Sequence, residues 1–257
     1  MPVRPKKSLG QHFLVDENLL GVIGRLAELR PADVVLEVGP GRGVLTRYLA
    51  ERVHLVHAIE LDRTLEERLE STLADVQNVR IVFADALRID LGELQPAPAK
   101  LVANLPYNIA TPLVVESLGH LPSIQRWCVM VQREVADRFF ASPRTKAYGA
   151  VSVLVQLLTR KVGFHAVPRT AFRPRPRVDS ALVAFVRTPG PRLDAVRPVV
   201  EAAFAHRRKT LANSVALTGI AERPAAEAAL EVIGRPAGAR AEELEPAEFV
   251  ALAEGLR

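Results

Sequence analysis

The stretch that leaves the fewest folds open is Val34–Val38, a largely apolar run that passes straight into Gly39-Pro40-Gly41-Arg42-Gly43. Val44, Leu45, Tyr48 and Leu49 then recur at helical spacing. A short apolar run, a glycine turn and an immediate helical period make strand, loop and helix, the opening unit of a parallel α/β sheet. The glycines let a ligand approach the main chain, and the helix start presents N–H groups without partners. The spacing is G-x-G-x-G, and Val44 stands where the dinucleotide pattern has its third glycine. That glycine serves close helix packing at a pyrophosphate. Its absence favours a nucleoside without phosphates.

The same rhythm repeats along the chain. A strand over residues 55–59 ends at Glu60-Leu61-Asp62, one over Val79–Phe83 ends at Ala84-Asp85-Ala86, and one over residues 101–103 ends at Asn104. A fifth strand, residues 127–131, is apolar throughout and reads as buried on both faces. Ligands of open α/β sheets lie outside the carboxyl ends of the strands, so the residues at those ends are the candidate site. An acid after the second strand is placed for both hydroxyls of a ribose, which assigns Glu60. Asp62 and Thr64, with Glu67, read as helix-capping residues, and Leu61, Leu65, Leu69 and Leu73 as that helix's buried stripe. Asp85 can accept from the amino group of an adenine lying across the sheet, or can simply close a turn.

Asn104-Leu105-Pro106-Tyr107 suits the alkylation of an exocyclic amine, whose lone pair is delocalised into its ring. The Asn104 side-chain oxygen can accept one N–H. The Leu105 carbonyl, aimed by Pro106 with its fixed φ, can accept the other. Two acceptors draw the nitrogen toward tetrahedral geometry, and the Tyr107 ring gives the base a stacking face. The plain alternative is a polar turn closed by Asn and Pro. Further on, Phe172-Arg173-Pro174-Arg175-Pro176-Arg177-Val178-Asp179-Ser180 reads as a proline-stiffened lip, with Phe172 a second stacking face opposite Tyr107.

Beyond Thr188-Pro189-Gly190-Pro191 the pattern is helical, over residues 196–205, 211–217, 225–233 and 247–256. Arg207, Arg208 and Lys209 sit at the first helix junction, where they serve either as phosphate contacts or as a solvated face. The net charge of +5 fits an anionic partner, but Arg outnumbers Lys 28 to 6, as codon bias would also give, so the local cluster carries the argument. The single Cys128 excludes an intrachain disulfide and a cysteine metal cluster, and it reads as inert core. No apolar run reaches the ~18 residues of a membrane span, and the basic stretch Met1 to Gly10 is not followed by the apolar region of a secretory signal. A cytoplasmic location is expected.

Taken together, Gly10-Gln11-His12-Phe13-Leu14, Glu37-Val38-Gly39-Pro40-Gly41, Asn104-Leu105-Pro106-Tyr107-Asn108, residues 172–180 and Arg207-Arg208-Lys209-Thr210-Leu211 resemble the ribosomal RNA adenine N6,N6-dimethyltransferase family over nearly the whole chain. The last motif is similar to the branch acting on small-subunit (16S) rRNA, historically tied to kasugamycin sensitivity. The resemblance implies an α/β, Rossmann-like class I methyltransferase fold at residues 1–188, its sixth and seventh strands an antiparallel hairpin. It also implies a small all-helical domain at 189–257 that contacts rRNA. It implies S-adenosyl-L-methionine (SAM) as cofactor and no metal. His12 and Leu14 would close over that cofactor, Gly39 and Gly41 would pass its methionine end, and Glu60 would hold the ribose. Asp85 with Ala86 would read the adenine, and Asn104 would border cofactor and target. The family usually has Asn at the position of His12. The implied enzyme is a monomer, free of membranes, that dimethylates two adjacent adenosines of a 16S hairpin in the immature 30S subunit during ribosome biogenesis. The rivals are a large-subunit enzyme of the macrolide-resistance type and a non-catalytic RNA-binding assembly factor that keeps the fold.

Overall fold

The structure is a computed structural model that describes Lys6 and residues 10–256. Apart from Lys6 and Gly10, the basic stretch at residues 1–10 lies outside the described residues. In chain order the first elements are β1 (Phe13–Leu14), α1 (Asn18–Ala27), β2 (Val34–Val38), α2 (Val44–Ala50), β3 (Leu55–Glu60), α3 (Glu66–Leu73), β4 (Val79–Phe83) and β5 (Lys100–Asn104). There follow α4 (Ala110–His120), β6 (Arg126–Gln132), α5 (Arg133–Phe139), α6 (Ala150–Leu158), β7 (Thr159–Val167), β8 (Phe172–Arg173) and β9 (Ser180–Arg187). The chain ends with α7 (Leu193–Ala205), α8 (Leu211–Leu217), α9 (Arg223–Val232) and α10 (Pro246–Gly255). Two compact units result, one of residues 1–136 and 161–187, the other of residues 137–160 and 188–257.

In the first unit a seven-stranded sheet has the order β4-β3-β2-β5-β6-β9-β7. The pairs from β4 to β6 are parallel, and β9 lies antiparallel to β6 with Arg126 opposite Val186 and Gln132 opposite Ser180. Residues 34–38, 55–60 and 127–131 are buried throughout, as expected of strands covered on both faces. On one face α1 buries Leu19, Ile23 and Ala27 in a cluster with Val35, Val102, Cys128, Met130 and Leu182. Burial pushes the Cys128 thiol up to about 12, which keeps it an inert core group. Trp127 stacks on Phe185, and its indole N–H donates to Ser117 Oγ at 2.8 Å. Where β5 begins, the buried Lys100 pairs with Asp33 at 2.7 Å and donates to the Glu28 carbonyl, fixing that strand beside β2.

The strand order reverses between β2 and β5, and the crevice at such a switch point is where open α/β sheets take ligands. The short ribbon of β1 and β8, Phe13 opposite Arg173 and Leu14 opposite Phe172, was not expressed as a strand pattern in either segment. Two residues per strand carry no period.

The second unit is built on apolar helix faces. Tyr148 sets its ring edge-on to Phe204, which stacks on Phe249, and its hydroxyl donates to the Leu244 carbonyl at 2.8 Å. The buried Ser214 hydroxyl donates to the Ala202 carbonyl at 2.6 Å and accepts from His206 N at 3.1 Å, pinning α8 to α7. Residues 137–160 group with these helices, because α6 buries Val153, Leu154 and Val155 and packs on α7 and α10. Leu61 corrects another expectation. It is 53% exposed, while Leu65, Leu69 and Leu73 are buried, so the helix stripe begins one turn later. Among the described residues no helix is long and apolar enough to cross a membrane.

Candidate active site

One cavity opens at the switch point. The ends of β2, β3, β4 and β5 supply Gly39, Gly41, Glu60, Asp85, Ala86, Asn104, Leu105, Pro106 and Tyr107 to its wall, and residues 10–14 supply His12 and Leu14. Five segments that are far apart in sequence meet here because successive parallel strands all point their carboxyl ends the same way.

The glycine loop touches the Asn-Leu-Pro-Tyr turn directly. A Cβ on Gly39 would stand 3.0 Å from the Pro106 ring, and one on Gly41 3.0 Å from the Phe13 ring. Both glycines have positive φ, +77° and +60°, so neither position suits another residue. Glu60 is buried; its Oε2 accepts Gly41 N at 3.0 Å and its Oε1 accepts Asp62 N at 2.8 Å. Burial pushes its pKa up, and those N–H donors oppose the shift. The Leu61 N–H also acts on this carboxylate, whose roughly four acceptor sites still leave room for a further donor.

Asp62 does more than cap. It accepts Thr64 N at 3.1 Å, and Glu67 takes no part in a capping box there. It also receives Lys6 Nζ at 2.7 Å and Gln11 Nε2 at 2.9 Å. Burial works against its charge, but the Lys6, Thr64 and Gln11 hydrogen bonds prevail and hold it down at about 2. Asp85 lines the cavity while its Oδ1 accepts Leu87 N at 3.0 Å and its Oδ2 faces Arg88 at 3.4 Å. It thus closes a turn and borders the cavity at once.

Asn104 Nδ2 donates to the His12 carbonyl at 3.1 Å. Its Oδ1 and the Leu105 carbonyl receive no donor among the described residues. The Tyr107 hydroxyl and Ser180 Oγ are 2.7 Å apart, which anchors the ring; burial raises the phenol's pKa and the serine opposes the rise. The His12 ring lies 5.3 Å from the Tyr107 ring. Ser180, Asp62 and Gln11 are supporting residues that sequence reasoning missed as such. Side-chain pairing across 51 to 73 residues leaves no local pattern.

Phe172 is the clear correction. It is 2% exposed and buried among Leu14, Leu19, Ala171 and Leu182, and it does not line the cavity. The pairing of β8 with β1 turns its ring into the core, so the face beside Tyr107 belongs to His12 instead. In the second unit, Arg208 and Lys209 are exposed. Arg207 donates to the carbonyls of Lys146 and Tyr148, at 3.4 and 3.2 Å, and faces Glu242 at 3.7 Å. It therefore braces a loop in addition to any outward role.

The family profile described as ribosomal RNA adenine dimethylase matches residues 3–254. The chain belongs to that family. Among curated dimethylase relatives, Ribosomal RNA small subunit methyltransferase A of Rubrobacter xylanophilus is 51% identical over 256 residues, covering 97% of this chain and 94% of the relative. The protein of the same description from Thermobifida fusca is 46% identical, with 98% and 90% covered. Among solved structures, the 23S rRNA methyltransferase ErmE superposes with a TM-score of 0.67 at 33% identity, covering 95% of this chain and 99% of that one. A dimethyladenosine transferase from Plasmodium falciparum gives 0.79 at 24% identity over 94% and 96%, a likeness of fold.

SAM is the methyl donor of the dimethylase family. The cavity suits it on an observation independent of descent. Glu37 Oε2 is buried in the cavity wall without a hydrogen-bond partner among the described residues. Burial, with the charge of Glu60 adding to it, pushes Glu37 up to about 8; the nearby Thr46 hydroxyl opposes this, although it stands outside hydrogen-bonding geometry. An unsatisfied buried carboxyl costs stability until a donor reaches it, and an ammonium-bearing ligand supplies one. Glu60 and Asp85 offer acceptors to a ribose and an adenine, so the residues present fit the cofactor.

Proposed function

We propose that this protein transfers methyl groups from SAM to the N6 of two adjacent adenosines in a hairpin of 16S rRNA, forming N6,N6-dimethyladenosine in the immature 30S subunit. It would do so as a cytoplasmic monomer. The observation that carries the reading is that Asn104 Oδ1 and the Leu105 carbonyl, two acceptors without a donor among the described residues, belong to consecutive residues of the cavity wall that also holds the anchored Tyr107. The bound donor supplies a methyl group activated by its sulfonium.

The chain's own residues position and tune the nucleophile. The target adenine leaves its stack to reach the site and lies on Tyr107, whose ring Ser180 keeps from rotating away. Asn104 Oδ1 and the Leu105 carbonyl accept its two N6–H groups, which frees the nitrogen lone pair for in-line attack. These acceptors matter more as the nitrogen becomes tetrahedral, so they favour the transition state over the bound substrate. The nitrogen turns acidic once methylated, so no strong base is needed, and orientation supplies most of the rate. For the second transfer one N–H remains, and one acceptor suffices. Arg208 and Lys209 are assigned to rRNA phosphates.

The likeness to ErmE supports a rival reading on 23S rRNA; against it stand the Arg207-to-Leu211 motif and the small-subunit description of the full-length relatives. Tritiated SAM incubated with undermethylated 30S and 50S subunits, with nucleoside mass spectrometry, decides. The expected product is N6,N6-dimethyladenosine in 16S rRNA. Label in 23S rRNA, or a methyl on a ring nitrogen, overturns the proposal.

A further inference from the structure

Asn104 ends in a planar amide whose two ends have the same shape and opposite hydrogen-bonding character. A catalytic acceptor of this kind needs something to decide which end faces the substrate. Here the His12 main-chain carbonyl does so, by accepting Asn104 Nδ2–H at 3.1 Å across 92 residues of sequence. With the amide reversed, two acceptor oxygens would face each other and the N–H₂ group would point at the amine it should be activating.

The carbonyl is itself held from several sides. His12 Nδ1 lies 2.8 Å from the Pro174 carbonyl, which makes Nδ1 the protonated nitrogen, and its ring lies against Tyr107. One residue earlier, Gln11 Nε2 donates to Asp62, and Lys6 donates to the other oxygen of the same buried carboxylate. One residue later, Phe13 pairs with Arg173 and stands against Gly41. Residues 10–14 therefore form a strap in the cavity wall, latched at Asp62 on one side and at β8 on the other. Its middle residue carries the carbonyl that orients Asn104.

We propose that His12 is a positioning residue of the methyl transfer, which makes Asn104 competent only when the strap is seated. The inference rests on the reading of Asn104 as the N6 acceptor. It separates the two ends of that amide into two jobs, the oxygen for the substrate and the nitrogen for the strap.

Asn104→Asp tests the separation, because a carboxylate keeps the acceptor and loses the donor to His12. The measurements are single-turnover methylation of undermethylated 30S subunits, SAM affinity by calorimetry, and hydrogen exchange at residues 11–14. The expected result is a rate at least a hundredfold lower at saturating SAM, with faster exchange in the strap. His12→Ala, which frees the strap from Pro174, is expected to slow turnover about tenfold at saturating SAM. Asn104→Asp turning over within threefold of wild type, or a strap whose exchange is unchanged, overturns the inference. So does a His12→Ala defect that disappears at saturating SAM, which would make His12 a cofactor contact only. A wild-type enzyme that does not methylate N6 removes the functional reading instead, and this inference with it.

Discussion

Glu60 Oε2 accepts the main-chain N–H of Gly41 at 3.0 Å, so the acid that ends β3 also holds the glycine loop that ends β2. In the proposed reading of Glu60 as ribose acceptor, that acceptor and the loop geometry are one device. Glu60→Ala removes both, and since hydrogen bonds to charged groups contribute about 1.5–3 kcal/mol, SAM affinity should fall roughly ten- to a hundredfold. Glu60→Gln keeps one acceptor for the loop or the ribose and should lose less. Calorimetry on folded variants checks the order, and equal affinity for all three would remove Glu60 from the site.

Glu37 makes stability of the cofactor-free protein depend on pH. Its folded pKa of about 8 lies above the ordinary value of 4.5, so over that interval the folded state holds a proton the unfolded state releases. Stability should then fall as pH rises from about 4.5 to 8, by at most about 1.4 kcal/mol per pH unit from this group. Thermal unfolding without SAM at pH 5.5 and 7.5 should show wild type losing more than Glu37→Gln. Identical losses would mean that Glu37 is ionised in the fold.

Phe172→Ala should act on the fold before it acts on chemistry. Truncating a buried phenylalanine costs about 3–5 kcal/mol, and the ribbon of β1 with β8 should loosen with it. Denaturant unfolding measures the loss. A variant of wild-type stability that has lost turnover would return Phe172 to the role of a stacking face.

Arg208 and Lys209 should give way differently from Arg207. Replacing Arg208 and Lys209 by Ala should lower the slope of log affinity against log salt for rRNA by about 1.4–1.8, at roughly 0.7–0.9 per phosphate contact, with SAM affinity unchanged. Arg207→Ala frees the carbonyls of Lys146 and Tyr148, so proteolysis in residues 142–149 should quicken. A salt slope untouched by the double variant would make the pair a solvated helix face.

Much of the site was legible in the residues because a parallel sheet sends its functional groups to strand ends, and strand ends can be found from apolar runs. Glycine spacing, the acids at 60 and 85 and the Asn-Leu-Pro-Tyr turn all fell where the order of strands put them. Asp85 closes the turn that was one of its two readings and also lines the cavity; the other reading, an acceptor for adenine, stays a proposal.

What the sequence determined by itself was therefore the strands of the large sheet, the main helices and the strand-end residues, since each is written in local periodicity. Only the tertiary structure decided the rest. It turned Phe172 inward through a two-residue ribbon and put His12 beside Tyr107. It brought residues 137–160 into the helical unit, and it tied Asp62 to the strap and Ser180 to Tyr107. In each case the deciding interaction joins segments far apart in the chain, and such pairings are set by how whole faces pack, a property that no window of neighbouring residues contains.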